Sequence, residues 1–131
     1  MRQFFGMSQQ GDLRAAVQGL VNPQLIMLMS NSSQFEEHVK ELEKLYPQVP
    51  SIGCIGMCYN TRVAEHGVGV IAFTDGVNAT ANVLEQVSLM PVKYIRRLED
   101  DLRKVNASHS DTICIDFCSG NDACVLTTIH T

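Results

Sequence analysis

The chain has no surplus of positive charge: 10 Lys and Arg stand against 14 Asp and Glu, a formal net charge of −4. Such a balance supplies no general attraction to nucleic acid or to an anionic membrane, which argues against either partner. Long apolar runs are missing too. "VGVIAF" falls far short of the roughly 20 apolar residues that a membrane-spanning helix needs, so no membrane insertion is expected. The opening "MRQFFGMSQQGD" lacks both an apolar signal core and a small-residue cleavage site, which makes the cytoplasm the expected compartment. There is no internal repeat and no low-complexity segment. Nor is there a Ser-His-Asp, H-E-x-x-H, G-x-S-x-G or G-x-x-x-x-G-K pattern, so no catalytic activity and no cofactor are expected.

What remains is ordinary globular material. The 131 residues, 45% hydrophobic and 18% charged, can bury a core without staples and read as one domain over 1–131. Three nominal glycosylation sequons, at Asn31, Asn78 and Asn106, carry no weight in a chain expected to stay in the cytoplasm. Five cysteines, an odd number in a reducing compartment, point to free thiols rather than a disulfide framework.

Leu13, Ala16, Val17 and Leu20 repeat at helical spacing before Pro23, which predicts a helix over about 9–21. "QLIMLMS" is a continuous apolar run, the pattern of a strand over 24–30 buried on both faces. Ser33 and Glu36 form an S-x-x-E capping box, and Phe35, Val39, Leu42 and Tyr46 mark the apolar stripe of a second helix. His38 falls on its charged face. "SIGCI", 51–55, is a further short strand. "VGVIAF" and "NATANVLEQV" flank an Asp-Gly pair and predict a hairpin over 68–87. Pro91 opens a helix with Ile95, Leu98, Leu102 and Val105 in its stripe. "DTICIDFC" returns to a buried strand over 111–117, and "SGND" starts a last helix. The expected fold is α/β: one domain with a mixed β-sheet, parallel where helices cross over and antiparallel at the hairpin.

"SIGCIGMCYN" packs two glycines and two cysteines behind a strand. Three readings fit it. Cys54 and Cys58 are four apart, as are Cys114 and Cys118, with Cys124 six further on; none of these spacings is the C-x₂-C of a structural zinc knuckle, so no metal is expected. A catalytic thiol would need a base, and His66 is the nearest histidine in sequence. The third reading is backbone: small residues at a strand end let the chain turn or let another group come close. In open α/β sheets ligands bind beyond the carboxyl ends of strands, and "SNSS", "GMCYN" and "SGND" all follow expected strands.

The pattern "LVNPQLIMLMSNSSQFEEHVKELEKLYPQVPSIGCIGMCYN", then "HGVGVIAF" and "CIDFCSGND", resembles the FIST N-terminal sensory domain of bacterial signalling proteins from about Leu13 onward. Ile52, Gly53 and Cys54 match the family's Ile-Gly-Cys. Ile55 stands where the family has a small hydroxyl residue, and the acidic residue of its Gly-Glu pair is absent. The family's domains continue past this chain's end, so the chain reads as their N-terminal portion. The resemblance implies a cytoplasmic, non-catalytic sensor of small molecules such as amino acids, coupled to a kinase, chemotaxis or similar output module.

The expected ligand site is therefore the three strand-end loops: Ser30, Asn31 and Ser32; Cys54, Gly56, Tyr59 and Asn60; Ser119, Gly120, Asn121 and Asp122. Helix starts after "SNSS" and "SGND" would offer N–H groups to a carboxylate, and Asp122 or Asp116 would face an ammonium. Two other functions stay open: an interaction module docking through an exposed helix face, and a thiol-based redox or metal sensor. A homodimer is compatible with any of them.

Overall fold

The computed structural model describes residues 1–56, 58–59, 62–86, 89 and 91–118, with 58, 59, 62 and 91 described through their backbone. The chain divides into two compact units, Met1–Ala79 and Thr80–Thr131. Among the described residues no helix is long and apolar enough to cross a membrane.

The first unit is a mixed α/β layer. Strands β1 (Arg2–Ser8), β2 (Leu25–Ser30), β3 (Ser51–Ile55) and β6 (Val68–Thr74) form one sheet in the order β1-β6-β2-β3. Helices α1 (Leu13–Ala16) and α2 (Phe35–Leu45) connect β1 to β2 and β2 to β3. β3 runs parallel to β2, and β6 runs antiparallel to both β1 and β2. A two-residue ladder joins β4 (Cys58–Tyr59) to β5 (Arg62–Val63). The core lies on one face of the large sheet. Ile26, Leu28, Val68, Val70 and Ala72 from the strands meet Leu13, Ala16, Val17, Leu20 and Leu42 from the α1 and α2 segments.

The expected mixed α/β sheet with its parallel βα unit is present, and 24–30 and 51–55 are neighbouring parallel strands. Several local expectations are corrected. The first helix is a single turn whose cap Asp12 accepts from the Ala15 N–H at 3.2 Å, although its four apolar positions are all buried as the spacing implied. β1 takes up residues that carry no clean alternation and was not anticipated. β2 buries only Ile26, Leu28 and Ser30, so it alternates in and out instead of being buried on both faces. The capping box does not form: the Ser33 hydroxyl donates to Asn31 Oδ1 at 2.7 Å, and the cap position of α2 is Gln34, whose side chain makes no cap bond.

The hairpin fails for a topological reason. Asp75 and Gly76 do adopt positive φ, 57° and 75°, as a tight turn requires. Both edges of β6 are already taken, by β1 and β2, so the chain leaving Thr74 cannot fold back to pair with β6. Instead, the Val77 N–H donates to Gln24 Oε1 at 2.7 Å.

The second unit contains α3 (Ile95–Lys104), preceded by a 3-10 turn at Pro91–Tyr94. Its anchor is polar. Asp101 is buried and accepts from Thr80 Oγ1 and Asn82 Nδ2 at 3.3 and 2.6 Å, while the Tyr94 hydroxyl donates to the Glu85 carbonyl. Ile95 and Leu102, half of the expected apolar stripe, are exposed. The expected strand at 111–117 is also absent. Among the described residues 111–117 join no strand ladder, and Ile113, at 86% exposure, Ile115 and Phe117 are solvated. An apolar run favours burial, but a strand needs a neighbouring ladder, and the described part of this unit has no sheet. The expected last helix lies outside the described residues.

Candidate functional site

Because β1 and β2 are both antiparallel to β6, and β3 is parallel to β2, the carboxyl ends of β1, β2 and β3 gather at one end of the sheet. Ser8, Val68, Ser30 and Ile55 sit in register there. The chain after β3 is tied to this end by the Gly56 N–H, which donates to the Ser30 carbonyl at 2.9 Å.

A buried polar network closes the same end. The Ser30 hydroxyl lies 2.7 Å from His38 Nδ1, and His38 Nε2 lies 2.9 Å from the Gly11 carbonyl. A carbonyl can only accept, so Nε2 carries a proton and donates to it. In the neutral ring Nδ1 then accepts from Ser30, whose single proton is also within reach of the Asn31 carbonyl at 3.0 Å.

Asn31 is the second hub. Its Nδ2 donates toward Gln34 Oε1, the His66 carbonyl and the Gly67 carbonyl at 3.0, 3.1 and 3.2 Å. Its Oδ1 accepts from Ser33 Oγ and the Gln34 N–H. Three loops are thereby locked: 9–12, 31–34 and 64–67. Gly11 is required where they meet. Its φ is +75°, and a Cβ there would stand 2.2 Å from Gln34 Oε1 and 2.9 Å from the His66 carbonyl.

The structure brings Ser30, Asn31 and Gly56 together and separates the roles of the expected residues. Ser30 and Asn31 are 0% and 2% exposed, and their side chains are bound within the protein. Ser32 is exposed beside them. Cys54 is half-buried and pairs with Met29, on the sheet face turned away from the helices. Tyr59 pairs with Arg62 in the small ladder. Asn60, Ser119, Gly120, Asn121 and Asp122 lie outside the described residues.

The glycine in "SIGCI" also finds its use. A Cβ at Gly53 would come within 3.1 Å of the Leu28 carbonyl and 3.3 Å of Leu28 Cβ, so the glycine relieves crowding against β2. Beside it runs a groove of about 280 Å³, lined by Phe35, Val39, Leu42, Tyr46 and Val49 among others. The expected apolar stripe of α2 thus faces this groove. A second concavity, of about 360 Å³, lies at the opposite end of the sheet, around Arg2, Phe4, Asn22 and Asp75.

Ser30 and His38 have the spacing of a nucleophile and its base. Two features argue against that chemistry: Ser30 is wholly buried, and His38 is oriented by a backbone carbonyl where a catalytic triad has a carboxylate. Thiol chemistry gains no support at Cys114. Partial burial, the negative charge of Asp116 and the thiol's hydrogen bond to that carboxylate all push its pKa up, away from the reactive thiolate. Among the described residues no group of three His, Cys, Asp or Glu side chains is placed to hold a metal.

Sequence reasoning missed His38, Gln34, His66 and Gly11 as parts of this network. One signal existed: His38, Leu42 and Leu45 also repeat at helical spacing, and it is this stripe that carries the buried His38 and Leu42. The carbonyl contacts of residues 66 and 67 have no sequence signature. Comparison with family models, with curated proteins and with solved structures gives no match to this chain.

Proposed function

We propose that the chain is a non-catalytic sensory domain of a cytoplasmic bacterial signalling protein, binding a small molecule of the amino-acid class at the carboxyl ends of β2 and β3 and relaying occupancy to an output module. The observation that carries this reading is the Gly56–Ser30 backbone bond, which ties the chain leaving β3 to the end of β2, where Ser30 and Asn31 enter a locked polar network. That is the position where open α/β sheets take ligands. The FIST resemblance of "SIGCIG" supports the same placement. Ser30 and Asn31 act here as the base of the site, and the exposed Ser32 as its contact group.

Thermal denaturation with free amino acids and small carboxylates tests the proposal. At a hundredfold excess over Kd, a bound ligand adds about 2.7 kcal/mol, several degrees in Tm for a domain of this size. Ser32→Ala should reduce the shift without altering the unliganded Tm. No shift across the panel would overturn the proposal.

One observation favours the interaction module instead. The sheet face opposite the core is apolar, with Phe5 exposed and Met27, Met29, Ile71 and Phe73 half-buried. Apolar faces of this kind mark association surfaces. Sedimentation showing a dimer that Met27→Lys converts to monomer would support this second reading.

A further inference from the structure

We draw no further inference here: the strongest candidate, the apolar face of the four-stranded sheet around Met27, Met29, Ile71 and Phe73, carries nothing beyond the reading above because nothing in the structure shows what covers it.

Discussion

The Ser30 hydroxyl and the His38 imidazole meet at 2.7 Å inside the first unit, one from the end of β2 and the other from the first turns of α2. Both are buried, and together with the Gly11 carbonyl they form a relay that joins strand, helix and loop. A polar relay in such a place stabilises only if every member keeps its partner.

Removing either end should therefore be costly. His38→Ala removes the donor of the Gly11 carbonyl and leaves the Ser30 hydroxyl the Asn31 carbonyl alone, at about 1–3 kcal/mol for the polar loss, with a further cavity term. Ser30→Ala should cost less. A double-mutant cycle read by urea denaturation should show the two changes to be non-additive by at least about 0.5 kcal/mol. Additive costs would mean that the two side chains do not interact.

Asn31→Ala separates binding from architecture. Its amide organises residues 33, 34, 66 and 67, so the unliganded protein should lose about 1–3 kcal/mol as the Gln34 N–H and the His66 carbonyl lose their Asn31 side-chain partner, while the Gly67 carbonyl keeps the Asn31 N–H. An unchanged unliganded midpoint would show that this network contributes nothing to stability.

At Gly11, alanine meets both a left-handed backbone and two oxygens closer than a Cβ tolerates. The substitution should cost more than about 1 kcal/mol, measured as a lowered denaturation midpoint. Hydrogen exchange should quicken at Asn31 and Gln34, whose N–H groups are held by the same loop cluster.

Asp101 makes the second unit acid-sensitive. Burial pushes its carboxyl up, but hydrogen bonds from Asn82, Lys104 and Thr80, with the Lys104 charge, outweigh burial and hold the pKa below the usual carboxylate value. A depressed folded pKa means stability that is present above the unfolded value of about 3.9 and lost as pH falls through the folded one. Asp101→Asn should flatten that acid limb, followed by the circular dichroism of α3 from pH 7 down to pH 2. An unchanged acid profile would remove Asp101 as its source.

The sequence by itself determined the local choices whose cause is local. The period of Leu13, Ala16, Val17 and Leu20 named the face that is buried, the apolar runs 24–30 and 51–55 became paired parallel strands, and Asp75-Gly76 took the positive φ values its residues favour. It also singled out Ser30, Asn31 and Gly56, which the fold does assemble at one sheet end. Tertiary structure decided what those residues do. β6 inserted between β1 and β2, using both its edges, so the residues after Gly76 cannot pair back onto it. Ser30 and Asn31 were turned inward because His38, Gly11 and the 66–67 carbonyls arrive from elsewhere in the chain to satisfy them. Side-chain periodicity reports how a segment prefers to be buried. Which polar atom meets which, and whether a strand edge is free, depends on segments far apart in sequence, and only the folded chain sets those meetings.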